Sequence, residues 1–154
     1  MKINTRLFGE VDVDDAKILN FESGIIGFPD YKKFTLVYDV EREQDASIIW
    51  LQSMDEAQLA LPIINPLLVK EDYNPTVEDQ FLESLGDLGP ENTLVFITVT
   101  VPQDIEKMTV NLRAPIIINA ENRKAVQIII EDDLPVRFPV YEILSANNEA
   151  KEGE

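Results

Sequence analysis

Carboxylates are the most abundant side chains in this sequence that could do chemistry. The chain has 29 Asp and Glu residues against 13 Lys and Arg, and it has neither histidine nor cysteine. The missing residue types exclude disulfides, thiol nucleophiles and zinc sites of the usual ligand types, together with most histidine-based acid–base catalysis. A pair of carboxylates could still hydrolyse a glycoside, but no Asp or Glu lies in a recognisable catalytic motif. We therefore predict that the protein is not an enzyme and needs no cofactor.

One acidic turn resembles a metal-binding loop. Asp12, Asp14 and Asp15 lie close together in the sequence, but the glycine and the closing glutamate of an EF-hand loop are missing. We interpret these three residues as a solvated turn and predict no metal site.

The formal net charge of −16 limits the classes of partner. A surface this negative repels nucleic acids, which bind through cations that neutralise phosphates, and it repels anionic membranes. A charged protein partner should therefore present a basic patch, although solubility alone could also explain the charge. No positively charged leader precedes an apolar core at the N-terminus, and no apolar run approaches the roughly 20 residues of a membrane span. We expect a cytoplasmic protein without direct nucleic-acid or membrane contact.

Residues 71–91, here called the acidic segment, contain seven acidic side chains and no Lys or Arg. The segment predicts one helix near 74–85, because Asn and Pro at its start suit the cap and the first helical position, and apolar residues recur at helical spacing. Acidic residues near a helix N-terminus suit its dipole, but this does not explain why basic residues are missing from the whole segment. We predict an acidic docking face with the candidate contact residues Glu71, Asp72, Glu78 and Asp79.

Two β-branched runs within residues 108–131 predict a β-hairpin around a short polar loop. If the alternating apolar residues of both runs face inward, a slip by one residue would turn one set to solvent. The simplest register then pairs Ile118 with Ile128 and centres the loop on Arg123.

The other face of this predicted hairpin carries a small apolar spot. Pro115 lies on it, Ile117 lies opposite Ile129, and Asn111 and Arg113 lie beside them. Either another segment of the chain covers this spot or a partner protein does. Because Pro115 cannot donate a ladder hydrogen bond, the strand that contains it should be an edge strand or should be bulged there.

Short β signals continue along most of the chain. Gly9 permits a bend in the first strand, and the loop at 21–30 should pack through Phe21, Ile25 and Phe28. Trp50 is expected in the core. The other predicted strands are residues 1–13, 17–21, 34–40, 47–53, 59–64, 93–101 and 138–144, and residues 67–69 could open another.

Many short strands with a single helix predict a mostly β fold. We expect an antiparallel barrel or barrel-like sheet with one short helix near 74–85. Residues 93–101 carry apolar side chains on both faces, which predicts a central strand that is covered on both sides. A length of 154 residues suits one domain, spanning 1–144, and the polar C-terminal tail at 145–154 should be disordered.

Three stretches occur in an order that is typical of one protein family. They are the loop at 21–28 with its two glycines, the turn Leu-Pro-Ile-Ile-Asn-Pro at 61–66, and Asn-Leu-Arg-Ala-Pro-Ile at 111–116 followed by Asn119, Ala125 and Gln127. In these stretches, of which the third is the most specific, the chain resembles the flagellar assembly factors of the FliW family. Its length and acidity also fit that family, and the resemblance covers residues 1–144.

The resemblance implies a pseudo-barrel that acts only by binding proteins and has no small-molecule substrate. The partners in that family are flagellin and the RNA-binding translational regulator CsrA. While unsecreted flagellin occupies the factor, CsrA remains free to repress flagellin mRNA. After flagellin is exported, the freed factor binds CsrA away from its RNA site and relieves the repression allosterically.

Each predicted surface then has an expected partner. The acidic face would bind CsrA, and the apolar spot would receive an amphipathic terminal helix of flagellin. The residues of that spot are Asn111, Arg113, Pro115, Ile117 and Ile129. An alternative function is that of a small ligand- or oligosaccharide-binding β-barrel, which would need exposed aromatic side chains, whereas most aromatic residues here lie in apolar strands or loops.

Overall fold

Short strands dominate the computed structural model of the chain, which describes residues 2–5, 9–37, 48–74, 77, 79–89 and 91–144. The α-helix α1 spans Asp79–Leu82 and continues as a 3-10 turn over Glu83–Leu85. The strands are β1 Lys2–Thr5, β2 Gly9–Asp12, β3 Leu19–Phe21, β4 Lys33–Val37, β5 Ile48–Ser53, β6 Ala60–Ile64, β7 Thr93–Thr100, β8 Thr109–Val110, β9 Ile116–Asn119, β10 Lys124–Gln127 and β11 Phe138–Pro139.

Seven of these strands close into a barrel. The order is β3-β4-β5-β6-β7-β9-β10, and the ring closes because β10 also pairs with β3. This closing pair is parallel, with Lys124 beside Asn20, whereas the other neighbours in the ring are antiparallel. The predicted mostly β, barrel-like fold is confirmed, but its sheet is mixed rather than purely antiparallel. β8 and β11 extend the sheet outside the ring, and β1 pairs only with β2 among the described residues.

Side chains from all seven barrel strands fill the interior, as is typical of small barrels. Phe21 and Phe34 meet there edge to face, with ring centroids 5.3 Å apart. The buried residues of this inner core are Leu19, Phe21, Ile25, Phe34, Leu51, Ile63, Phe96, Ile116, Ile118 and Ala125.

The outer surface of the barrel wall is also covered. One outer cluster surrounds Leu112 beside β7, and a second packs Leu85, at the end of the helical segment, against Ile117 of β9. In β7, Phe96 belongs to the inner core and Ile97 to the first outer cluster. The prediction that this strand is covered on both faces is confirmed.

β9 and β10 form a hairpin, but the predicted register is wrong by three residues. Ile118 lies opposite Ala125 rather than Ile128. The turn is correspondingly earlier and is closed by a hydrogen bond of 2.8 Å from Arg123 N to Asn119 O. Arg123 adopts a left-handed φ of 61°, so it ends the turn instead of lying at its centre.

The register argument failed because it turned the alternating apolar residues of both runs to the same side, whereas Val126, Ile128 and Ile130 of the second run belong to the outer cluster. Ile118 points into the inner core, whereas Ile117 points to the outer cluster and lies opposite Val126, not Ile129. With both faces covered, alternation no longer selects one register. β9 is not an edge strand either, since it pairs with both β7 and β10, and Pro115 lies immediately before its first residue.

The predicted helix is shorter than expected. Asn74 and Val77 are not helical, and α1 begins only at Asp79, while residues 75, 76 and 78 lie outside the described residues. The strand predicted at 138–144 is also wrong beyond β11, because residues 141–144 form a helical turn. Likewise Pro66–Leu68 is a 3-10 turn rather than the start of a strand.

The N-terminal prediction needs a correction too. The described part of residues 1–13 forms not one bent strand but the antiparallel pair of β1 and β2, in which Gly9 opens the second strand with a φ of 65°. Asp14 caps the next 3-10 turn through a hydrogen bond of 2.9 Å from Ala16 N to its Oδ1. Across the described ranges, no group of three carboxylates is arranged to hold a metal ion.

Two aromatic residues are less buried than predicted. Phe28 is 36% exposed and stacks on Tyr31, with ring centroids 6.1 Å apart. Trp50 is half-buried and lies opposite Pro62 in the neighbouring strand. Phe21 and Ile25, by contrast, belong to the inner core as predicted. In the part of the chain described, no helix has the length and apolarity to span a membrane.

Candidate protein-binding surfaces

The stretch Asn-Leu-Arg-Ala-Pro forms a bulge in the sheet at residues 111–115. β7 pairs with β9 at Phe96 and Ile116, and with β8 at Val99 and Val110. Between these pairs β7 has two residues and the segment that joins β8 to β9 has five, which leaves three extra residues between β8 and β9. Bulges of this kind re-aim side chains and interrupt pairing. Here the bulge explains how a proline can stand next to a strand that is paired on both sides.

The bulge is held by its own hydrogen bonds. Asn111 Oδ1 accepts from Arg113 N at 2.9 Å, so the asparagine forms a local turn that few other side chains could make. Leu112 is fully buried, and its carbonyl oxygen accepts a hydrogen bond of 2.8 Å from the Tyr73 hydroxyl. Burial of that phenol, with the negative charge of Asp132 adding to it, raises the pKa of Tyr73 to about 12. The bulge is therefore a built element of the fold.

Gln127 connects the bulge with the glycine-containing loop at 21–30. Its Nε2 donates to Ala114 O at 3.2 Å, and its Oε1 accepts from Ile26 N at 2.9 Å, although Gln127 and Ile26 are 101 residues apart. Gly24 lets this loop fold back tightly, because it has a φ of 70° and an added Cβ would lie 2.5 Å from the Pro29 carbonyl oxygen. Two of the three stretches that carry the family resemblance thus meet at one glutamine.

The predicted apolar spot does not exist as one exposed surface. Ile117 is only 5% exposed and packs in the outer cluster under Leu85, and Pro115 is buried as well. Of the two predicted interpretations, covering by another segment of the chain is the correct one for these residues. Ile129 is 63% exposed, so it alone of the three apolar residues can meet a partner directly.

Arg113 lies at the margin of the bulge. Its Nη2 lies 3.3 Å from Asp133 Oδ1, and Asp133 is fully exposed, so this ion pair is weak. The Nε of Arg113 is buried and has no hydrogen-bond partner among the described residues. Asn111 is half-buried and engaged with the backbone. The two polar candidate residues therefore hold the bulge, and of these only Arg113 presents a charge to solvent.

The acidic segment is fastened to the barrel by asparagines. Asn119 is 2% exposed and donates from Nδ2 to Leu85 O at 2.7 Å and to Asp87 O at 3.3 Å. Asn122 donates to the same Leu85 carbonyl at 2.8 Å. Asn92 accepts from Gly89 N at 2.7 Å and closes the following turn. The carbonyl groups at the end of the helical segment are thus satisfied by side chains of the β9–β10 turn.

These attachments leave the described acidic side chains on the surface. Those of Glu71, Asp72, Glu83, Asp87 and Glu91 are exposed. Of the candidate contact residues, Glu78 lies outside the described residues, and Asp79 begins α1 but its side chain is not described. The Lys70 ammonium, 3.0 Å from Asp72 Oδ1, donates a hydrogen bond that lowers the pKa of that carboxyl. The prediction of an exposed acidic surface therefore agrees with the residues that are described.

One feature of this region was missed by sequence reasoning. Lys32, Lys33 and Lys124 line a groove next to Ser84 and Leu85, at the border of the acidic segment. Lys124 is far from the consecutive Lys32 and Lys33 in the sequence, so no local motif indicated that they would meet.

Comparison with known proteins addresses the family directly. The model of the family described as "FliW protein" matches residues 2–140 of the chain. The chain belongs to the FliW family. A flagellar assembly factor FliW of Lachnoclostridium phytofermentans is 50% identical over 155 aligned residues, which cover 100% of this chain and 99% of that protein. The flagellar assembly factor FliW of Lachnospira eligens is 51% identical over 146 residues, covering 94% and 97%.

The fold agrees with the same family. The crystal structure of a flagellar assembly factor FliW superposes with a TM-score of 0.83 at 29% sequence identity, covering 92% of this chain and 97% of that one. The family match also includes the bulge, the Gln127 bridge and the acidic segment, all of which lie within residues 2–140. The family resemblance found in the sequence is confirmed, and the chain is a flagellar assembly factor by family.

Proposed function

We propose that this FliW-family protein binds flagellin and CsrA in turn, and that it antagonises CsrA when flagellin is depleted. Membership of a family of flagellar assembly factors is the observation that carries this proposal. The filled barrel interior supports it too, because side chains rather than a ligand occupy the space that a small-molecule binder would need. Function then depends on the outer surface.

CsrA binds to the acidic segment in this proposal. An RNA-binding protein presents cations, and the exposed carboxylates of Glu71, Asp72, Glu83 and Asp87 complement them. A carboxylate held about 8 Å from an RNA phosphate costs roughly 0.5 kcal/mol in bulk water, and less than half of that after screening. A tenfold loss of RNA affinity needs about 1.4 kcal/mol, so on the order of seven such pairs are required. A segment with seven acids can reach that number, and isolated acids cannot.

To test this site, two variants remove the same number of negative charges, one from the acidic segment and one from other exposed positions. One variant carries Glu71→Gln, Asp72→Asn, Glu83→Gln and Asp87→Asn, and the control carries Asp30→Asn, Asp104→Asn, Glu106→Gln and Glu142→Gln, all at exposed positions. Titration calorimetry with purified CsrA at low and high salt should give weaker, less salt-sensitive binding for the first variant only. A second version of that variant adds Glu78→Gln and Asp79→Asn. Equal dissociation constants for both variants at low salt would reject the acidic segment as the CsrA site.

Flagellin binds at the exposed apolar residues around Gln127 in this proposal. Ile26 is 50% exposed and donates its N–H to Gln127, and Ile129 follows that glutamine by two residues, roughly 7 Å along an extended chain. Ile129 and Ile26 would contact the apolar face of an amphipathic flagellin helix. Arg113 and Asn111 hold the neighbouring bulge, while Pro115 and Ile117 support it from inside.

Ile129→Glu tests the flagellin contact. We expect it to abolish copurification with flagellin while the melting temperature stays near that of the wild type, because Ile129 is exposed. Val101→Glu is the control, since Val101 is 47% exposed and lies beyond the end of β7. Retention of flagellin by the Ile129→Glu protein, at the level of the control, would contradict this placement of the site.

A further inference from the structure

Three exposed residues form one row across the outer face of the barrel. Lys124 of β10 lies opposite Asn20 of β3, and Asn20 lies opposite Lys33 of β4. Cross-strand partners point to the same side of a sheet and neighbouring strands are about 4.8 Å apart. The two lysines therefore stand roughly 10 Å apart at their Cα atoms, with an amide between them. An anion placed over Asn20 can be reached by both ammonium groups.

The row forms one wall of a groove. Ser84 and Leu85, from the 3-10 turn that ends the helical segment, lie on its lining together with Lys32. The groove has a volume of about 410 Å³, which suits one or two side chains of a partner. Among the described residues that line it, Glu22 is the only acidic one. Three cations thus face one carboxylate in a chain whose formal net charge is −16.

The groove lysines keep their ammonium groups available. Asp55 lies nearby, but its Oδ2 accepts from the backbone N–H groups of Lys32 and Lys33, at 2.9 and 3.1 Å. By contrast, Lys70 pairs with Asp72. Within the described ranges, the three groove lysines have no carboxylate within salt-bridge distance, Glu22 included.

We propose that this groove receives an acidic side chain of the basic partner that the acidic segment attracts. The inference rests on the proposed function and adds to it a residue-level determinant of orientation. A row of carboxylates attracts a basic surface but fixes no direction, because many arrangements have similar electrostatic energy. A positive groove at the border of the acidic segment accepts only the arrangement in which a partner carboxylate lies over Asn20. Such alternation of charge fixes the register of an interface.

Removing the groove lysines distinguishes this proposal from simple charge attraction, because the two predict opposite changes in the affinity for the basic partner. The variant Lys33→Gln with Lys124→Gln makes the formal charge of −16 two units more negative. If only the acidic field mattered, a basic partner would bind this variant as well as the wild type or more tightly. If a partner carboxylate enters the groove, binding weakens by about fivefold, since two partly exposed ion pairs are lost. Calorimetry with purified CsrA measures this change.

The control removes two lysines elsewhere. Lys17 and Lys107 are exposed and lie outside the groove, so Lys17→Gln with Lys107→Gln changes the net charge equally and should not weaken binding. Asn20→Asp, which places a carboxylate in the row, should weaken binding like the groove variant. Binding by the groove variant that equals or exceeds that of the wild type overturns the groove proposal alone. A wild-type protein that does not bind CsrA overturns both this proposal and the CsrA part of the proposed function.

Discussion

The bulge at 111–115 and the acidic segment at 71–91 both looked like binding surfaces, yet the barrel uses them in opposite ways. In the bulge, Leu112 and Pro115 are buried, and the Asn111 side chain and the Leu112 carbonyl accept internal hydrogen bonds. The acidic segment is attached through the Tyr73 hydroxyl, the buried Leu85 side chain and the carbonyl groups that accept from Asn119 and Asn122, whereas every acidic side chain described in it is exposed. A sequence stretch with a strong family signal can therefore have a structural role, while the neighbouring segment keeps its charged side chains exposed.

The largest expected loss of stability comes from Ile117, which follows the bulge in β9. Ile117→Glu places a carboxylate in a closed apolar cluster, and we expect more than about 4 kcal/mol of destabilisation, enough to unfold the protein. Circular dichroism melts should show no cooperative transition. Ile129→Glu is the matched control and should melt like the wild type. A folded Ile117→Glu protein would mean that this position is not part of the core.

The next effect concerns the attachment of the acidic segment. Asn119→Ala removes the donor to the Leu85 and Asp87 carbonyls and should destabilise the protein by about 2–3 kcal/mol. Asn122→Ala, at an exposed position, should cause a smaller loss. Urea titration measures both free energies of unfolding. Equal losses for the two variants would show that the buried amide has no special role.

A smaller effect, with a pH signature, comes from Tyr73 under the bulge. Tyr73→Phe leaves the Leu112 carbonyl without its donor and should cost about 1–2 kcal/mol at neutral pH. Above pH 10 the unfolded chain, whose tyrosine has the ordinary pKa of 10.0, releases this proton, while the folded state holds it up to about pH 12. Stability is therefore lost as the pH rises through this window. Melts at pH 7, 10 and 11 should show a steeper alkaline loss in the wild type than in Tyr73→Phe.

The smallest effect on stability is expected from the four amide substitutions in the acidic segment. These side chains are exposed, so the melting temperature should stay close to that of the wild type at all salt concentrations. If the melting temperature fell strongly, the carboxylates would have a structural role, and the contrast with the bulge would disappear.

Sequence reasoning predicted the barrel-like fold well where each strand carries its own local signal. β4, β5, β6 and β7 lie within one or two residues of their predicted starts, because alternation and β-branched residues are local signals. It failed at β9 and β10, since a hairpin with two buried faces has no polar face to set its register. Ile117 was misplaced for the same reason, because it packs in the outer cluster against Leu85, which lies 32 residues earlier in the chain and gives no local signal.

Of the candidate binding surfaces, one could be predicted from the sequence and the other could not. The acidic segment could be predicted because its signal, a run without Lys or Arg, is written in consecutive residues. The lysine groove could not, because Lys33 and Lys124 meet only through the parallel pairing of β3 and β10. Residues that become neighbours only when the barrel closes give no local signal in the sequence.

The parallel pairing of β3 with β10, which closes the barrel, also limits when the fold can be completed during synthesis. Residues near position 20 wait for a strand about a hundred positions downstream, so the ring is completed only after Lys124 and Ala125 have left the ribosome. Until then β3 has one unsatisfied edge, which is an opportunity for mispairing between nascent chains. Once β10 pairs with β3 and β9, this edge is covered. The lysine groove then forms at the same stage as the hydrogen bonds from Asn119 and Asn122 to the Leu85 carbonyl, which anchor the acidic segment. We therefore expect the groove and these anchors to form together late in synthesis rather than one after the other.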